Sequence, residues 1–268
     1  LLFLKNVQNI SVTIIMDDGN VKVLQETSLS DCIDLSSPRG IGQDSNPRCS
    51  LRNYIEARDK NEFESLKEYC RSKYILKFNS SVCGDTSFHE EWLIYSGADT
   101  SDVARVTALR AEQIPWGGIA IKLYPRSKVE GRAYCFLPLP IVTGLPVHVN
   151  AAFALSSDRR NLWTNSDIDK TNKYSKANWK GAWNNYLLET FIPMLYSEAC
   201  GVAVSTRRFD VDAHDAGALD DFFYNAVWPE LNVVQKTSVK FYHVAEQTIK
   251  KIAMNDVPVF FTNANTLH

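Results

Sequence analysis

No apolar run in this 268-residue chain approaches the roughly 20 residues that a helix needs to cross a bilayer. Its first residues lack the charged start and small-residue cleavage pattern of a secretory signal. An excess of charge of one sign is missing too. With 29 basic against 31 acidic residues, nothing in the overall balance favours a phosphate backbone or an anionic membrane surface. Neither nucleic acid nor membrane is therefore expected as a partner. The six cysteines, at positions 32, 49, 70, 83, 135 and 200, form no Cys-x-x-Cys pair, and no His stands at zinc-finger spacing from them. That argues against a structural metal, and a reducing, cytoplasmic setting with free thiols fits best. Beginning at Leu1 without a Met, the chain is expected to be an excised piece of something longer.

Nucleotide and nucleophile motifs are equally scarce. There is no Gly-x-x-x-x-Gly-Lys-Ser/Thr, and Gly40-Ile41-Gly42 lacks the third glycine, the preceding strand and the following helix of a phosphate loop. No Gly-x-Ser-x-Gly elbow occurs, and His89, His148, His214 and His243 are scattered without a partner motif. His214 lies among Asp210, Asp212 and Asp215. Those types can ligate a metal, but the segment has the composition of a polar loop, so no metal site is assigned. These absences predict no catalytic residue and no cofactor in this chain.

What is present is a globular composition, 45% hydrophobic over a length that suits one large domain or two smaller ones. Leu1 to Val7 has the look of a helix end or hinge. Ile10, Val12 and Ile14 then alternate up to Asp17-Asp18-Gly19-Asn20, and Asp-Gly between alternating apolar runs predicts a hairpin with Val21 to Leu24. Ser36 to Asn46 reads as a loop, and Arg52 to Tyr69 as one or two amphipathic helices. Strands are expected at Tyr74 to Phe78 and Glu90 to Tyr95, and a short helix over Asp102 to Leu109 with Ser101 as its cap. Pro115-Trp116-Gly117-Gly118 is expected to break the chain before a strand from Ile119 to Tyr124. A solvated loop should follow Thr164. Helices are then expected over Trp179 to Cys200, kinked or broken by Pro193 near Ile192, over Leu219 to Val227 and over Val239 to Ile252, with a short strand from Val257 to Phe261.

Residues 131 to 163 are the most informative stretch. Tyr134, Phe136 and Leu137 lead into Pro138 and Pro140, whose missing N–H groups should stop a ladder. Val147, Val149, Ala151, Phe153 and Leu155 then keep a period of two, which places one face in the core. His148 points away from that face and is expected to be solvated or to cap. The two motif strands are expected to be antiparallel neighbours in a second sheet. The whole then reads as an α+β, mixed α/β fold: antiparallel-rich sheets flanked by helices, a sheet-rich portion over 1–163 and a mostly helical portion over 164–268 packed on it.

This block, Gly131 to Trp163, resembles the repeating region of the sacsin and NO VEIN family, with weaker likeness through Trp179 to Cys200 and in the opening Leu-Leu-Phe-Leu-Lys-Asn-Val. Such repeats are similar to heat-shock protein 90: an ATPase domain followed by a middle domain. The resemblance implies that this chain is the segment following the ATPase domain of such a co-chaperone, with a middle-domain fold. It implies as partners the neighbouring ATPase domain of the same parent, client proteins and the heat-shock protein 70 machinery. The family's adenine-pocket and lid motifs are not visible here, so the chain alone is not expected to be an enzyme.

Three residues stand out as contacts. Arg159 and Arg160, at a strand end, present planar, permanently charged forks able to reach a phosphate held by a neighbouring domain. In ATPases of the type this chain resembles, a basic residue from the second domain completes the nucleotide site. The plainer reading is a salt-bridged Asp158-Arg159-Arg160-Asn161 turn that pins Trp163. Trp116, on a Pro-Gly turn, is the candidate exposed protein contact. Two functions follow: a module coupling nucleotide state to client handling, or a scaffold with no nucleotide coupling.

Overall fold

The structure, a computed structural model, describes residues 1–35, 48, 71–83, 86–125, 127–164, 175–208, 226–255 and 257. The expected loop from Ser36, the Arg52 to Tyr69 helices, Gly40-Ile41-Gly42, Cys49, Cys70, the Asp210 to Asp215 cluster with His214, most of the 219–227 helix and most of the 257–261 strand lie outside the described residues.

Alternating apolar residues around the Asp-Gly signal give β1 (Asn9–Ile15) and β2 (Val21–Asp34), joined by a turn in which Asp18 accepts from the Asn20 N–H at 2.9 Å and Gly19 sits at φ +83°. β3 (Arg71–Val82), β4 (Thr86–Ala98) and β5 (Trp116–Tyr124) continue the meander, with α1 (Asp102–Ala111) between the last two. Ser101 caps α1 as expected, accepting from the Ala104 N–H at 3.3 Å. β6 (Arg132–Cys135), β7 (Leu137–Val142) and β8 (His148–Ala151) complete one eight-stranded sheet in the order β1-β2-β3-β4-β5-β8-β6-β7.

The architecture is the expected mixed α/β one with a mostly antiparallel sheet, but four details differ. There is no separate second sheet among the described residues, because β4 pairs with β5 from Glu91↔Tyr124 to Ala98↔Trp116. Gly117 and Gly118 do not break the chain; they are inside β5. At Gly97 and its ladder partner Gly117, a Cβ would meet Leu195 and Phe191 side-chain atoms at 2.8 and 3.3 Å, so glycine here admits a helix against the sheet. Pro138 and Pro140 lie within β7, where the sheet ends and a missing N–H costs no ladder bond. Finally, the motif strands β6 and β8 are parallel neighbours, Ala133↔Val149 and Tyr134↔Asn150, because β7 folds back antiparallel on β6 through Phe136 at φ +64°.

The helices after residue 175 cover one sheet face. α2 (Lys176–Tyr186), a π-helical turn (Leu187–Phe191) and α3 (Ile192–Arg208) run on without a break. Pro193 does not interrupt them; the ladder widens ahead of it, with Ile192 N–H donating to Leu187 C=O, five residues back. α4 (Leu231–Thr237) and α5 (Val239–Met254) follow. Leu93, Ile119, Ile121 and Val149 on the sheet, with Phe153 just past β8, meet Trp183, Phe191, Leu195 and Phe241 in the main core. The opposite face carries a second cluster of Tyr74, Leu76, Phe78, Trp92 and Ile94. Leu1 to Val7 forms neither helix nor strand there. Phe3 is inserted edge-on against Tyr134 at 5.0 Å, and the Arg48 guanidinium gathers the carbonyls of Leu1, Leu4 and Val7.

Candidate functional site

The arginine pair projects from a tight turn just beyond β8. Leu155 and Leu162 bridge its two limbs, Ser156 N–H donates to Asn161 C=O at 2.9 Å, and Arg159 N–H donates to Ser156 C=O at 2.9 Å. Asp158 holds the tip, accepting from the Ser156 hydroxyl at 2.5 Å and the Arg160 N–H at 3.1 Å. Those two bonds hold its carboxyl below the usual carboxylate range. Arg159 adopts φ +58°, a left-handed conformation unusual for a residue with a side chain. Both arginine side chains are exposed, and no described residue forms an ion pair with either guanidinium.

The turn is not salt-bridged, then, and the arginines do not pin Trp163. That work falls to Asn184 on α2. Its amide donates to the carbonyls of Ala154 at 2.8 Å and Trp163 at 2.9 Å, and its carbonyl accepts from the Ala154 N–H at 2.9 Å. From the residue just before it, the Trp183 indole donates to Ala152 C=O at 2.7 Å. Asn184 and Trp183 are buried, so the turn is clamped to the core helix by bonds shielded from water. Nothing in the local sequence marks Asn184 for this role.

Trp116 does not belong with the arginines as an exposed contact. It is only 5% exposed, stacked on Phe136 with ring centroids 5.5 Å apart. The glycines that suggested an open turn are strand residues, so the ring is held against the sheet instead of standing off it.

His148 does point away from Val147 and Val149, but into the second core cluster and not into solvent. It stacks on Trp92 at 5.2 Å, meets Tyr134 edge-on at 5.3 Å, and its Nδ1 accepts from the Arg132 N–H at 3.1 Å. Burial, with Arg132 next in weight, lowers its pKa from 6.5 to about 4; Glu90 opposes the shift and Lys122 adds to it. Folded protein thus resists protonation that the unfolded chain accepts at pH 6.5. Stability should be full above that value and fall on acidification, by about 2 kcal/mol between pH 7 and pH 5. Chemical denaturation of wild type and His148→Asn across that range checks this: the variant, whose amide oxygen can replace Nδ1 as acceptor, should lose the slope. An equal slope in both would contradict it.

A second polar centre, distant in sequence, was invisible to motif reading. Arg71 Nε meets Glu198 at 2.6 Å, Arg71 Nη1 donates to Ala98 C=O at 2.9 Å, and the Tyr95 hydroxyl donates to the same Glu198 carboxylate at 3.0 Å. The network ties β3 and β4 to α3 about two turns beyond the π segment. Beside it Leu35, Lys73, Gly201 and Val202 line a cavity of about 520 Å³. The nearby Ser205 and Thr206 hydroxyls donate back to their own helix, at 2.7 and 2.8 Å. Among the described residues, no group of three or more His, Cys, Asp or Glu side chains converges to hold a metal. Cys135 and Cys200 are buried, Cys32 is half-buried and Cys83 exposed, and none of these four forms a disulfide.

Over 184 residues, 63% of the chain, the sequence is 28% identical to sacsin of Homo sapiens, and the chain spans 4% of that protein's length. No family model matches the chain, and no solved structure does. The similarity supports a sacsin-related region within this chain.

Proposed function

We propose that this chain is the non-catalytic middle segment of a sacsin-like, heat-shock protein 90-related co-chaperone, working in the cytoplasm. In this reading it couples a preceding nucleotide-binding domain to client proteins or to the heat-shock protein 70 machinery. The observation that carries it is the arginine turn: two exposed guanidinium groups without ion-pair partners among the described residues, on a turn clamped to α2 through Asn184. Guanidinium charge that no described residue engages in an ion pair, held on a clamped turn, suits a phosphate presented by another domain. Movement of that domain is then transmitted along Ala152–Ala154 into α2 and the core.

Joining the chain to its natural N-terminal neighbour and measuring ATP turnover with and without it tests the proposal. A faster rate in the joined protein is the expected result; an unchanged rate would leave a scaffold. Calorimetric titration of the isolated chain with Mg-ATP should show no saturable binding in the micromolar range, where affinity corresponds to about −8 kcal/mol.

A further inference from the structure

The two edges of the sheet are defended unequally. β7 carries Pro138 and Pro140, which blunt its edge, whereas β1, Asn9–Ile15, has no proline and no charged residue. The bulge at this end falls on β2, at Leu24, since Val12 pairs with Gln25 and Thr13 with Val23; β1 itself stays regular. Every β1 residue is exposed, with Ile10 at 44%, Val12 at 51% and Ile14 at 46% on one face. Three β-branched side chains in a row on an open edge are a template for another strand.

From this we infer that β1 is a dimerisation edge, pairing antiparallel with β1 of a second copy about a two-fold axis at Val12. The hydrogen-bond phase fixes the register. Leu29 N–H donates to Gln8 C=O and Met16 N–H to Asn20 C=O, so the even-numbered residues of β1 turn their backbone groups towards β2. Asn9, Ser11, Thr13 and Ile15 therefore aim theirs outward. Centring the axis on Val12 sets Ser11 against the partner's Thr13 and Asn9 against the partner's Ile15, so outward donors meet outward acceptors. The same register sets Ile10 against the partner's Ile14 and Val12 against the partner's Val12, giving one continuous apolar stripe across both strands.

Charge agrees with that arrangement. No like charges oppose one another along the strand, and the Asp17–Asp18 turn of each copy is carried towards the end of the other copy's strand that bears Lys5. Pairing consumes both β1 edges, and the strands at the far end of each sheet, β7, carry proline, so assembly stops at two.

Sedimentation velocity on the whole chain should show a concentration-dependent species of twice the chain mass and nothing larger. Val12→Lys sets two ammonium groups face to face on the axis, and Thr13→Pro removes an outward N–H without touching the β2 ladder. Each should weaken dimerisation by about tenfold or more while the variant still melts cooperatively. In a Cys83→Ser background, Val12→Cys should form an intermolecular disulfide, because a non-hydrogen-bonded pair holds its Cα atoms about 4.5 Å apart. Ile14→Cys should not, since its counterpart lies four residues along the strand. A chain that stays monomeric into the high micromolar range would overturn the inference. So would a dimer that survives Val12→Lys and Thr13→Pro, or cross-linking that is equal at positions 12 and 14.

Discussion

Phe153→Ala should destabilise the protein by about 3–5 kcal/mol, the cost of removing a fully packed aromatic ring. Phe153 is 2% exposed and belongs to the main core with Val149, Trp183 and Phe191. Its position is set from both sides. The backbone N–H of Ala154 is bonded to Asn184, Ala152 C=O accepts the Trp183 indole, and the Phe153 carbonyl lies 3.7 Å from the Cys135 sulfur. Because these bonds fix the backbone, the chain cannot easily collapse into the space the ring leaves, and the high end of the range is expected. At about 2–4 °C per kcal/mol for a domain of this size, the melting temperature should fall by more than about 6 °C. Phe153→Leu, which keeps most of the volume, should fall by less. A melting temperature for Phe153→Ala within a degree or two of wild type would show that the inward register of this strand is wrong.

What could be read in advance followed from how local each signal is. The β1–β2 turn was legible because Asp-Gly between alternating apolar residues has one favoured geometry, and the Ser101 cap because its partner N–H is three residues away. The inward face of β8 was legible from its period of two, which also put His148 on the opposite side. Its burial was not, since the rings that enclose it, Trp92 and Tyr134, come from strands whose neighbourhood no local pattern encodes. The same limit hid the parallel pairing of β6 with β8 and the inclusion of Gly117 in β5. Pro193 was a correct sign of a departure from α geometry, but the packing of Phe191 and Leu195 against Gly97 and Gly117 kept the helix axis continuous, and the departure took the form of a π turn.

The site followed the same division. The arginine pair was visible as a motif, while its support was not, because Asn184 is an unremarkable residue in a helix 30 positions from the Ala154 backbone it holds. Arg71 and Glu198 are 127 residues apart, and neither carries a sequence mark. Trp116 was misplaced for a related reason: a glycine-rich neighbourhood suggested an open turn, whereas in a sheet glycine also marks close approach by another element.

Arg159 and Arg160 yield the sharpest contrast between fold and function. Each is exposed and unpaired among the described residues, so Arg159→Ala and Arg160→Ala should shift stability by less than about 0.5 kcal/mol. If one of them neutralises charge on a nucleotide held by the preceding domain, its loss should still lower turnover in the joined protein by roughly a thousandfold, the lower end of what an arginine finger supplies. Lysine should fail as a replacement where the contact is bidentate, because an ammonium is a point charge without the planar fork.

The decisive measurement is therefore ATP turnover per folded molecule in the joined two-domain protein, for Arg159→Ala, Arg160→Ala and the two Lys variants, beside their melting temperatures. Coupling predicts that at least one arginine variant loses turnover while melting within a degree or two of wild type, with Lys failing to restore it. Turnover unchanged in all four variants would contradict the coupling role and leave the segment as a scaffold.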